Sequence, residues 1–468
     1  MPPVPPKIPE KALAPLPRHP RSSDLSALTR YAWLAGLAGT VAVLGMGYQA
    51  QRRDALVAGW GVGSADEPVD ANLSMAFVLL IVAAVMFVVE LVVRLRVERG
   101  HVLTVSPDLR AGRLGQFFSE CLLVYLVELG ILQLAFAFYR TAGIYGFPGG
   151  DYYKPWFAVM GYLWRIYQWG GLPYVVLTRA LQHDPVADRK QAAFVVMKAA
   201  RRLFSGFTDG RMDVAAPPRF DRYDRSSILG LFVKLFFVPL MTVFFADQFG
   251  HLVKNYAFIL GPHSAINLRD VHNLSYTVVF SVDVGLAWCG YVLSSRWIKN
   301  TLWSVEPTAG GWIVALLSYP PFNSVFGNYF STPGESGFFT INSPRAVFLL
   351  AICSILSFSV YTSATVMFGL RFSNLTHRGI ITTGPYAIVR HPAYAAKNFS
   401  WWCVMLPFAL YQAGSQESAA PLIQVVGLVA LSGIYYLRAI TEERHLRKDA
   451  EYRAYAARVR YRFIPGIL

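Results

Sequence analysis

The chain has 468 residues, 54% of them hydrophobic and only 15% charged, with a mean hydropathy of +0.38. That balance excludes an ordinary soluble globule and fits a polytopic membrane protein. The net charge of +15 does not imply nucleic acid, because the basic side chains sit in loops between apolar segments, where Lys and Arg set topology and meet anionic headgroups.

Residues 1–30 are Pro-rich and basic, with no apolar core ending in a small-residue cleavage site. They read as a cytoplasmic arm and not as a cleaved signal peptide. A bilayer core needs roughly 20 apolar residues as helix. Ten stretches qualify: 31–49, 73–93, 117–139, 156–178, 227–246, 274–294, 311–329, 346–370, 394–410 and 419–437. The seventh is interrupted by Pro320-Pro321, which bends or ends a helix. The ninth carries Lys397 and Asn398 near its start.

With the N-terminus cytoplasmic and ten crossings, 34 of the 43 Lys and Arg fall in cytoplasmic pieces and seven in the opposite loops. The expected fold is therefore all-α, a polytopic helical bundle with both termini cytoplasmic. The expected location is a bacterial inner membrane. Residues 31–370 form a membrane region of open role, with a long cytoplasmic loop at 179–226. Within that loop, 189–207 has helical periodicity. Val196, Met197, Ala200, Leu203, Phe204 and Phe207 share one side, which suits a helix in the headgroup region or one packed on the loops.

Ionisable residues inside apolar segments are costly. Here they are Glu90, Glu120, Glu128, Arg165, Lys234 and Asp283. Glu128 and Asp283 lie nearest mid-segment, and ion pairing is the favoured reading over a proton or ion path. Cys121, Cys289, Cys353 and Cys403 each occupy an apolar segment with no metal-ligand spacing. They read as small buried hydrophobes, and no metal is expected.

Residues 371–468 hold the chemical signature. Gly384-Pro385-Tyr386 reads as a tight turn. Arg390-His391-Pro392 follows, placing a fixed cation and an imidazole at the membrane edge, with Pro392 in the first turn of the ninth segment. After the tenth segment come Arg438 and Glu442, four apart and able to pair on one helix face. Glu443 and the tail residues Tyr452, Tyr455, Arg458, Val459 and Pro465 complete the set.

This combination resembles the isoprenylcysteine carboxyl methyltransferases and related phospholipid methyltransferases. There a Gly-Pro-Tyr, Arg-His-Pro-x-Tyr run precedes a membrane hairpin, and a Glu-Glu pair with a Tyr…Tyr…Arg-Val…Ile-Pro tail follows. The likeness covers about residues 371–468. It implies an integral membrane enzyme using S-adenosylmethionine from the cytoplasm and a hydrophobic or lipid-like acceptor from the bilayer. Gly384, Pro385, Tyr386, Arg390, His391, Pro392, Tyr394 and Glu443 would bind the cofactor. Arg438 and Glu442 would be catalytic, Arg438 holding an anionic acceptor group. The C-terminus also resembles NADPH-dependent membrane sterol reductases, through Arg-His-Pro-x-Tyr and Tyr461-Arg462-x-x-Pro465. The Gly-Pro-Tyr and Thr441-Glu442-Glu443 favour the methyltransferase. A non-catalytic transporter or membrane component is the third reading.

Overall fold

The computed structural model describes residues 28–52, 71–99, 103–146, 152–189, 191–208, 221–261, 265–324, 337–414 and 420–467. Most of the basic arm lies outside them. Among the described residues nine helices have 21 residues or more: α1 Ala32–Arg52, α2 Ala71–Val97, α3 Leu114–Thr141, α4 Lys154–Leu181, α6 Arg222–Leu260, α7 Leu268–Val292, α9 Pro344–Phe368, α10 Pro392–Ala413 and α11 Ala420–Leu446. Three shorter ones of eight residues or more join them: α5 Ala192–Thr208, α8 Ala309–Leu316 and α12 Ala450–Arg458. The described sheet is one antiparallel pair, β1 Ser304–Val305 with β2 Thr376–His377, in the register Ser304 to His377 and Val305 to Thr376.

Among the described residues seven helices are long and apolar enough to cross a membrane. A helix satisfies its backbone internally, which hydrocarbon demands. The outer face is apolar: Leu126 and Leu134 on α3, Leu349 and Leu356 on α9, and Leu422 on α11 are all exposed. One charged pair is kept inside. Glu90 on α2 accepts from Arg371 at 2.7 Å, and both side chains are fully buried. α4 and α10 are long but less apolar, since they carry Arg165 and Arg179, and Lys397 and Asn398, respectively. α6 has 39 residues, about 58 Å, and so exceeds the bilayer core of about 30 Å. Its N-terminus is fixed by a reciprocal capping box between Asp221 and Asp224, and that of α7 by Asn267 and Asp270.

The seventh apolar stretch differs from expectation. Its first helix, Ala309–Leu316, ends early, and the chain turns through the cis Pro320-Pro321 bond. Described residues before and after the stretch lie at opposite ends of the bundle. Its start, at β1, pairs with β2 beyond the C-terminal end of α9. Beyond it, Phe338 and Phe339 pack on His272 at the opposite end of α7, and Arg269 lies over Phe339.

The β1 end of the bundle gathers most of the polar loops. Arg94, near the end of α2, donates to the Gln182 side chain and to the carbonyls of Arg296 and Trp297. Asn300 donates to the carbonyls of Leu293 and Leu370, tying the ends of α7 and α9 together. The start of α1 is at this end too. Gly379 leaves only 2.6 Å for a Cβ against Thr29, and Ala32 packs with Ile381 and Tyr386. α5 forms as expected within the long loop. Ala193, Phe194 and Met197 pack on the cluster of Phe117, Cys121 and Val175, while Val196 stays exposed. This half of the helix is therefore docked on α3 and α4.

Candidate functional site

Each piece of the C-terminal signature is placed by a specific local device. Gly384 has φ +61°, and a Cβ there would meet Met367 at 2.9 Å. Only glycine makes that turn without strain. Pro385 opens the short 3-10 turn Gly384–Ala387. The turn buries Tyr386 edge-on to Phe368 at 5.1 Å. Tyr455 of α12 donates its hydroxyl to the Tyr386 carbonyl at 2.7 Å. Burial holds the phenols of Tyr386, Tyr452 and Tyr455 above the ordinary tyrosine range, so they stay neutral. Pro392 occupies the first turn of α10, as its fixed φ favours.

The tail locks onto the Arg-His pair through the backbone. Arg390 N–H donates to the Tyr461 carbonyl at 3.0 Å and His391 N–H to the Arg462 carbonyl at 2.9 Å. Arg390 gives its Nε–H to Glu443 at 2.8 Å and its Nη1–H to the carbonyls of Val459 and Arg460 at 2.8 and 2.6 Å. Glu443 also faces His391 Nε2 at 3.3 Å, Arg462 at 3.1 Å and Arg447 at 3.2 Å. One buried carboxylate thus gathers three arginines and a histidine. The sequence reading gives Glu443 a part in cofactor binding; in the structure it sits behind the wall and holds Arg390 and His391 in place.

Arg438 lies inside a box of tyrosine rings, 5.1 Å from Tyr394, 5.2 Å from Tyr435 and 5.6 Å from Tyr319. It donates to the Asn374 side chain at 3.0 Å. Glu442 accepts from the Tyr394 hydroxyl at 3.1 Å. The pairing expected between Arg438 and Glu442 is thus replaced by separate bonds to Asn374 and Tyr394. Tyr394 stacks on His391 with rings 5.4 Å apart and 4° from parallel.

These residues share a cavity of about 280 Å³. Of the predicted site residues, Tyr386, Arg390, His391, Tyr394, Arg438 and Glu442 line it, while Gly384, Pro385, Pro392 and Glu443 support it from behind. Tyr452 and Tyr455 border the loop end. The cavity also reaches into the bundle, past Phe280, Met241 and Phe244, to Asp283 and Lys397. Asp283 accepts from Tyr361 at 2.7 Å and Thr365 at 2.5 Å. Lys397 lies over the rings of Phe280, Tyr361 and Trp401 at 5.2 to 5.5 Å.

Asp283, Tyr361, Thr365 and Lys397 are wall residues absent from the sequence-based site. Their signal was present in part, since Asp283 and Lys397 are ionisable residues in apolar stretches. Their meeting was hidden, because they come from α7, α9 and α10. Among the described residues Glu128 likewise bonds to the Tyr167 hydroxyl and to no ion-pair partner.

Comparison with known proteins adds one finding. A family model described as "Protein of unknown function (DUF1295)" matches residues 351–459, from within α9 to the end of α12. No curated protein and no solved structure matches the chain.

Proposed function

We propose that this chain is an integral membrane methyltransferase that uses S-adenosylmethionine to modify a hydrophobic acceptor, an isoprenylcysteine-type carboxylate or a phospholipid amine. The observation that carries the reading is the single cavity lined by both halves of the C-terminal signature at its loop end and by aromatic side chains deeper in the bundle. Such a lining would suit a soluble cofactor at the polar end and an apolar chain at the other. The strongly basic polar end would be the cytoplasmic one in an inner membrane, with both termini there.

The wall suits the cofactor. S-adenosylmethionine supplies an electrophilic methyl group when bound. Glu442 can take its ammonium or ribose hydroxyls, and Tyr386, His391, Tyr394 and Tyr455 offer flat and hydrogen-bonding surface. Arg438, held by three tyrosine rings and Asn374, can fix an anionic acceptor group in one position. Displacement at carbon needs alignment and exclusion of water above all, and a rigid, half-apolar cavity provides both.

Titration of the purified chain with S-adenosylmethionine and with NADPH tests this. Saturable S-adenosylmethionine binding that weakens in Glu442→Ala is expected. Tight NADPH binding without S-adenosylmethionine binding overturns the reading in favour of a reductase.

A further inference from the structure

Arg390 was expected to help bind the cofactor, yet Glu443 and two main-chain carbonyls already occupy its Nε and Nη1 donors. Two other arginines in the cavity wall are in the opposite condition. Arg371 spends Nη2 on Glu90, and its Nε and Nη1 have no hydrogen-bond partner. Arg378 spends Nη1 on the Gly290 carbonyl at 2.6 Å, and its Nε and Nη2 have none. Arg371 is 3% exposed and Arg378 is 2% exposed. Glu90 balances the first charge. Among the described residues no carboxylate pairs with the second.

A buried cation without a counter-charge is costly, and so is each buried donor without an acceptor. Four such nitrogens, on two arginines that both line one cavity, offer donors of the kind that hold carboxylate or phosphate. We infer that Arg371 and Arg378 together form an anion-binding site in the cavity wall, which takes a carboxylate or phosphate group of the ligand that fills the cavity. Burial pushes the Arg378 guanidinium down to about 10, still charged at neutral pH. Because its folded value lies below its unfolded one, the charged form opposes folding throughout the range below that value. An anion relieves this opposition. The inference deepens the proposed function by naming where the ligand's anionic end lies, although the anion site stands on its own geometry.

The test uses the purified full-length chain in detergent at pH 7.5. The apparent Tm is read in sodium phosphate and in sodium chloride of equal ionic strength. Phosphate is expected to raise the wild-type value above that in chloride. Arg378→Gln keeps a donor for the Gly290 carbonyl but removes the charge. It is expected to melt no lower than wild type in chloride and to lose the phosphate increment. Arg371→Lys, which retains a cation for Glu90, is expected to shrink the increment. A wild type indifferent to phosphate, or an increment undiminished in both variants, overturns the site.

Two further arms identify the source of the anion. If it is the cofactor's carboxylate, Arg378→Gln weakens S-adenosylmethionine binding about tenfold to a hundredfold and spares its decarboxylated analogue. If it is a lipid phosphate, the loss falls on binding of phosphatidylglycerol and S-adenosylmethionine binding is spared. Unchanged binding of both probes overturns the inference. A wild type that shows the phosphate increment but binds no S-adenosylmethionine keeps the anion site and overturns the methyltransferase reading.

Discussion

Arg390 and Glu443 stand 53 positions apart and close a buried ion pair of 2.8 Å between the start of α10 and the end of α11. The bond joins the two halves of the signature, and the tail adds Arg462 to the same carboxylate. Glu443→Ala removes the shared partner and leaves Arg390 buried and charged. The expected cost is about 3–5 kcal/mol, seen as a large fall in apparent Tm in detergent. Arg447→Ala removes a half-exposed partner of the same group and is expected to cost about 0–1 kcal/mol. Equal effects from the two would contradict the assignment of Glu443 as the anchor.

The Glu90–Arg371 pair gives a sharper contrast. Glu90→Ala strands a fully buried guanidinium and is expected to abolish accumulation of folded protein. Replacing both residues, as Glu90→Leu with Arg371→Met, removes both desolvation costs and is expected to recover most of the stability. The readout is monodisperse recovery by size-exclusion chromatography. A double variant as poorly recovered as the single one argues against the pairing.

Arg438→Lys keeps the charge but loses the planar group that sits among Tyr319, Tyr394 and Tyr435. Lysine cannot reproduce the stacked geometry together with the bond to Asn374. Methyl transfer is expected to fall about tenfold or more, or about 1.4 kcal/mol of barrier, while the apparent Tm changes little. Full activity in this variant would remove Arg438 from the site.

Close helix packing is tested at two glycines of α1. A Cβ on Gly36 would collide with the Val366 backbone carbonyl of α9, whereas one on Gly45 meets nothing within 4 Å. Gly36→Ala is expected to destabilise by about 1–3 kcal/mol. Gly45→Ala is expected to be neutral or slightly stabilising, since alanine favours helix. Thermal melts of the two variants side by side decide it.

Most of the bundle was legible because apolar length is a strong, local signal. Nine of the ten expected stretches fall, to within two residues at an end, inside described helices of 21 residues or more, seven of which are apolar enough to cross a membrane, and the exception is the one that contains Pro320-Pro321. The site was legible only in part. Gly384, Tyr386, Arg390, His391 and Tyr394 lie close in sequence, and so do Arg438, Glu442 and Glu443, so their grouping could be read directly. Which partner each one takes could not. Arg438 and Glu442 share a helix face, yet Asn374 and Tyr394, from elsewhere in the chain, claim them instead. Arg371 and Arg378 looked like two more basic loop residues that set topology, because their burial arises from the packing of α2 and α7 against the loop. Asp283 and Lys397 were visible as anomalies, but only the meeting of α7, α9 and α10 makes them the floor of a cavity.

The central claim is methyl transfer at this cavity. The most direct measurement is transfer of a labelled methyl group from S-adenosylmethionine into total membrane lipid and protein, in membranes carrying the wild-type chain, Glu442→Ala or no chain. A labelled product is expected with the wild type, and its loss with Glu442→Ala at equal protein level. Label no greater than in membranes without the chain, or label undiminished in Glu442→Ala, would contradict it.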